Sequence, residues 1–126
     1  MIKQIKSRAF VIFIGISGCF SVLFGAWLAH AGSHLSPDIV NRVNTAHHYQ
    51  VIHTLALLII TVWRTRNESK ILLVSSLCFA LGILCFSGSL YLKTLLNLPA
   101  IGGLAPIGGV LLAIGWLCLV FIGKKS

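Results

Sequence analysis

Few side chains in this sequence could do chemistry, and they fall in short, separated stretches. Histidines stand at 30, 34, 47, 48 and 53, a glutamine at 50, serines at 87 and 89, and a tyrosine at 91. Two imidazoles on neighbouring helices can ligate a haem or a metal, and His30 and His53 are the candidates for such a pair. Glycines beside polar groups can open a pocket for a quinone, a lipid or another small apolar ligand, and Gly108 and Gly109 are the candidates here. The plainest alternative is structural. His30, Gln50, His53, Ser87, Ser89 and Tyr91 would then hydrogen-bond one another or backbone carbonyls and tie helices together.

What is missing narrows the field. The only acids are Asp38 and Glu68, and neither lies within a long apolar run. A proton pathway through intramembrane carboxylates and a di-iron carboxylate centre are therefore excluded. Cys19, Cys78, Cys85 and Cys118 contain no Cys-x-x-Cys pair and read as small packing residues rather than as a zinc site or disulfide framework. No nucleophile and base stand at a catalytic spacing, and no phosphate-binding glycine loop is present. No residue is assigned as catalytic, and nothing in the sequence requires a cofactor.

The elements that must hold these residues are set by composition. Of 126 residues, 57% are hydrophobic and only 10% charged, with a mean hydropathy of +0.97. Soluble domains carry roughly 25% charged residues, so this chain belongs in a bilayer. A spanning helix needs about 20 apolar residues, and four runs qualify, at about 9–29, 46–63, 71–92 and 106–122. Short connections make sequential helices antiparallel neighbours. The fold class read from the sequence is all-α, an integral membrane four-helix bundle forming a single domain.

Ten Lys and Arg give a net charge of +8, yet they cluster between the apolar runs, as cytoplasmic loops require, and not along a nucleic-acid-binding face. Lys3, Lys6, Arg8, Arg64, Arg66, Lys70, Lys124 and Lys125 fall on one side, and Arg42 and Lys93 on the other. That asymmetry places both termini in the cytoplasm. The partner is the lipid bilayer, together with other membrane proteins or a second copy of the chain. Under this topology the histidines, Ser87, Ser89 and Tyr91 come to one level near the outer face, where ionisable groups at membrane depth mark a candidate site. His47 and His48, being adjacent, point about 100° apart and cannot serve one site together.

Local signals add detail. Ser36-Pro37-Asp38 reads as an N-cap, a first-turn proline and an acid at the positive helix end, so the second helix starts at Pro37 with Asp38 and Arg42 able to pair. Leu95 to Ala105 reads as a loop in the outer interface. Ile16-Ser17-Gly18-Cys19 is similar to a lipobox, but the chain stays apolar for ten further residues, and 9–29 reads as an uncleaved anchor. Small residues line three helices: Ser17, Ser21, Gly25 and Ala29; Ser75, Cys78, Gly82, Cys85 and Ser89; and Gly108, Gly109, Ala113 and Gly115. Such faces allow close helix contact and leave no room for a wide pore.

Several of these stretches resemble a known family. Gly25-Ala26-Trp27-Leu28-Ala29-His30, Tyr49-Gln50-Val51-Ile52-His53-Thr54 and Phe86-Ser87-Gly88-Ser89-Leu90-Tyr91 are similar to signatures of the YgdD-like family of small bacterial inner-membrane proteins, domain of unknown function 423. Pro106-Ile107-Gly108-Gly109 and Gly115-Trp116 match its fourth helix. Leu28 stands where the family has a glycine, and Ala105 where it has a threonine. The resemblance covers all four runs in order and implies four spans in the bacterial cytoplasmic membrane. It singles out the same polar residues and brings no activity, cofactor or substrate. The function class read from the sequence is a non-enzymatic accessory or scaffold protein. The alternative is a binder of haem, metal, quinone or lipid through His30 and His53.

Overall fold

The computed structural model describes residues 2–122, all of them in helices and short connections. Helix α1 runs Ile2–Ala31 and ends in a 3-10 turn, Gly32–His34; α2 spans Pro37–Arg64. A third rod is built from α3, Lys70–Ile83, a π-helical turn, Leu84–Gly88, and α4, Ser89–Leu95. A 3-10 turn at Pro99–Gly103 leads into α5, Leu104–Cys118, which ends in a further 3-10 turn, Leu119–Phe121.

The start signals act as their chemistry dictates. Ser36 Oγ accepts from Ile39 N at 3.4 Å, with Pro37 in the first turn of α2. Ser69 Oγ accepts from Ile71 N at 3.1 Å at the start of α3. Past α4, Asn97 takes φ 57°, a left-handed conformation that asparagine tolerates, and this turns the chain. The Asp38–Arg42 pair does not form: no ion pair joins them, and both are exposed, where such pairs contribute little. The stretch expected to be a plain loop at 95–105 instead holds the 3-10 turn, and α5 begins two residues before Pro106. Its Gly102 leaves space for the stem of Lys93, whose Cδ would lie 2.9 Å from a Cβ there.

Among the described residues, three helical stretches are long and apolar enough to cross a membrane: Arg8–His34, Lys70–Leu95 and Ile101–Phe121. Helix α2 has the length, at 28 residues, but asparagines, histidines and Gln50 in its first half dilute its hydropathy. Of its polar residues Gln50, His53, Thr54 and Thr61 are buried against the other helices, whereas Asn41, Arg42, Thr45 and His48 are exposed. The core joins Leu57 and Ile60 of α2, Leu72, Phe79 and Ile83 of α3, Leu112 of α5 and Phe10 of α1.

Small residues set how closely the rods approach. Ser75 donates to Gly115 O at 2.8 Å. A Cβ on Gly115 would meet the Phe79 ring at 2.7 Å, and one on Gly108 would meet the Cys85 carbonyl carbon and Phe86 Cα at 2.8 Å. Helix α5 therefore lies directly on the backbone of the π turn. The expected seam at 75, 78, 82, 85 and 89 is the surface of the third rod around this contact, with Ser75, Gly82 and Ser89 buried and the two cysteines partly exposed. All four cysteines are free thiols. The side chains of Lys3 and Lys6, and all of Lys124 and Lys125, lie outside the described residues.

Candidate functional site

The polar residues form two hydrogen-bonded groups. In the first, Tyr91 Oη donates to Gln50 Oε1 at 2.6 Å. Gln50 Nε2 donates to Ser17 Oγ at 3.0 Å and, more weakly, to Ser17 O at 3.4 Å. The Ser17 hydroxyl shares a 2.8 Å bond with Thr54 Oγ1, and Ser21 Oγ donates to Ser17 O at 2.8 Å. This chain links α1, α2 and α4. It exists because Ser17 and Ser21 lie on the small-residue face of α1, which lets the longer Gln50 reach across from α2.

The second group centres on His53. Trp116 Nε1, which can only donate, gives its hydrogen to His53 Nε2 at 2.9 Å. Nε2 must then carry the lone pair, so Nδ1 carries the proton and donates to Tyr49 O at 2.7 Å. Both ring nitrogens are used by a neutral imidazole, 6% exposed. Phe79 and Trp116 surround the ring at centroid distances of 5.6 and 5.8 Å.

The serines of the third rod brace its irregular turn. Ser87 Oγ donates to Ala46 O of α2 at 2.7 Å, and Ser89 Oγ donates to Phe86 O at 3.0 Å. The Phe86 ring rests on Tyr49, 4.7 Å between centroids. A π turn shifts carbonyls out of the regular ladder, and here one is met by a local hydroxyl. Gly108 meets the same turn from α5, whereas Gly109 has only an ordinary contact with the Phe86 ring at 3.8 Å. The space beside Gly108 is taken up by this close helix contact.

His30 does not join either group. It is exposed at the end of α1, without a hydrogen bond. The bonds from Ser17 to Gln50 and Thr54, and from Ser21 to His47, fix the antiparallel register of α1 on α2. By that register the level of His53 on α1 is near Ile16, roughly 20 Å along the axis from His30 at 1.5 Å per residue. The structure thus sets the two expected ligands at different depths. Among the described residues, no three His, Cys, Asp or Glu side chains gather as a metal site would need. His34 and His48 are exposed.

His47, placed by the sequence at the level of the candidate residues but outside their set, is bonded across to α1. It is half-buried, and its Nε2 donates to Ser21 O at 2.8 Å. Gly25 makes the room, since a Cβ there would meet the imidazole at 3.2 Å. A groove of about 460 Å³ runs beside it between α1 and α2. The signal was available: His47 lies three residues before Gln50, on one helical face.

An all-helical chain whose longest apolar helices suit a bilayer, and whose buried polar side chains bond to other helices or to their own backbone, is a small helical membrane protein. The comparisons with known proteins agree. The model of the family described as "Protein of unknown function (DUF423)" matches residues 24–109, and the chain belongs to that family. A "UPF0382 membrane protein" of Haemophilus influenzae is 36% identical over 118 residues, covering 93% of this chain and 94% of that one. The "UPF0382 inner membrane protein YgdD" of Escherichia coli is 38% identical over 118 residues, covering 93% and 89%. A further "UPF0382 membrane protein" of Staphylococcus aureus is 37% identical over 119 residues, covering 94% and 97%. No solved structure matches the chain.

Proposed function

We propose that this protein is a non-enzymatic accessory or scaffold in the bacterial cytoplasmic membrane, with four spans and both termini in the cytoplasm. The observation that carries this reading is the use of the polar residues. Gln50 engages both ends of its amide and His53 both nitrogens in bonds within the chain. Groups consumed in this way hold helices together and are not free to ligate or to move protons. A haem or metal between His30 and His53 draws no support from residues at different depths.

Helix α2 is read as the remaining span. Ile52, Leu55, Leu58, Ile59 and Val62 are exposed on its outer surface, as lipid contact demands, while Gln50, His53, Thr54 and Thr61 are buried. The orientation rests on the excess of Lys and Arg at the end of the bundle that holds Arg8, Arg64, Arg66 and Lys70. The name of the Escherichia coli relative, an inner membrane protein, fits this placement.

Gentle purification from the native membrane tests the function. A stoichiometric copurifying membrane protein, with no Soret band and no bound metal, is the expected result. A chromophore or metal lost on His53→Ala would overturn it. For topology, Ser33→Cys and Arg66→Cys, each alone in a cysteine-free background, should label from opposite faces of sealed vesicles. Labelling from the same face would remove the four-span reading.

A further inference from the structure

Arg64 carries a charge without a counterpart among the described residues. It is the last residue of α2 and continues the buried face set by Leu57, Ile60 and Thr61. Its Nη1 is enclosed and has no hydrogen-bond partner. The guanidinium carbon stands 5.5 Å from the centre of the Phe10 ring on α1. A ring face offsets only part of the cost of taking a cation out of water. Burial accordingly pushes the Arg64 pKa below the usual arginine value, with no acidic group acting against it.

The other edge of the guanidinium is not enclosed. Nε and Nη2 are absent from the enclosed atoms without partners, and the residue is half-buried. That edge holds two parallel N–H groups, spaced to meet two oxygens of one phosphate. Level decides which phosphate. The preceding residue, Trp63, is 39% exposed and ends a ladder of exposed apolar side chains at Leu55, Ile59 and Val62. An indole in that position belongs at the boundary between acyl chains and headgroups. Arg64, one residue further on, therefore stands at the level of the lipid phosphates.

We infer that Arg64 binds the phosphate of an anionic phospholipid, with Nε and Nη2 donating to two of its oxygens while Nη1 stays packed inside the bundle. The lipid supplies the counter-charge that the described chain lacks. An anionic headgroup is preferred to a zwitterionic one, because it brings no ammonium against Arg66 and Lys70, both exposed at the same end. The inference rests on α2 being a span, which the cysteine labelling decides on its own. It does not depend on the scaffold reading.

The test titrates the full-length protein in detergent with dioleoylphosphatidylglycerol or dioleoylphosphatidylcholine and counts bound lipid by native mass spectrometry. Phosphatidylglycerol should bind at least about fivefold more tightly than phosphatidylcholine. Arg64→Gln should remove that preference with helicity unchanged, and Arg66→Gln should keep it. A second measurement leaves Arg64 in place. The chain has four arginines, so Arg8→Lys, Arg42→Lys and Arg66→Lys together leave Arg64 as the one residue reported by a guanidinium carbon-13 label. In phosphatidylglycerol vesicles, phosphorus-dephased solid-state spectra should then place that carbon within about 5 Å of a lipid phosphorus. Equal binding of the two lipids would overturn the inference, as would a preference that survives Arg64→Gln. Absent dephasing would do the same, and so would displacement of the lipid by excess inorganic phosphate, which would mark a site for free anions.

Discussion

Trp116 donates its indole hydrogen to His53 Nε2 across 2.9 Å, and this contact decides the state of the imidazole. It ties α5 to α2, fixes the proton on Nδ1, and occupies the nitrogen that a metal would otherwise take. In ¹⁵N spectra His53 should therefore appear as a neutral ring with the proton on Nδ1. Trp116→Phe keeps the ring contact with Phe79, at 5.2 Å in the native chain, but removes the donor. It should cost about 1 kcal/mol in reversible unfolding in detergent, within the measured span for interhelical bonds in membranes.

The Tyr91–Gln50 bond joins α4 to α2 and orients the amide that reaches Ser17. Tyr91→Phe and Gln50→Leu should each destabilise by about 1 kcal/mol, and the double variant by clearly less than their sum. Strict additivity in a double-mutant cycle would show that the pair is not coupled.

Gly108 and Gly15 should respond oppositely to the same substitution. Gly108→Ala drives a Cβ into the backbone of Phe86 and must push α5 off the π turn, destabilising by about 3 kcal/mol. Gly15 has nothing within 4 Å, so Gly15→Ala should be neutral or stabilise by up to about 1 kcal/mol through helix propensity. Thermal denaturation in one detergent compares the two directly.

Ser75 and Ser87 each donate to a carbonyl of another helix, Gly115 O and Ala46 O. Ser75→Ala and Ser87→Ala should each lower stability by about 0.6 kcal/mol. Ser89 bonds only to Phe86 O within its own rod. Ser89→Ala should therefore leave helix–helix association unchanged while raising amide exchange around the π turn, read by hydrogen–deuterium exchange.

Local sequence was enough to read the helices, the cap at Ser36 and the small-residue faces at Ser17, Ser75 and Gly115. Each of these follows from local hydropathy or from chemistry within one helical turn. It also marked Gln50, His53, Ser87 and Tyr91 as polar groups that had to find partners, because a bilayer offers them none. Tertiary structure decided which partners. Sliding α1 by a turn against α2 moves every level by about 5 Å, and nothing local forbids it. The bonds of Ser17 and Ser21 fix that register, leaving His30 at the surface and bringing His47 to the glycine face. The π turn at Leu84–Gly88 is likewise a tertiary outcome, since it is held by Gly108 of α5 and by Ser87 reaching α2. Which stretches are apolar enough to span could be read from composition, but depth, rotation and register depend on contacts between residues far apart in the chain.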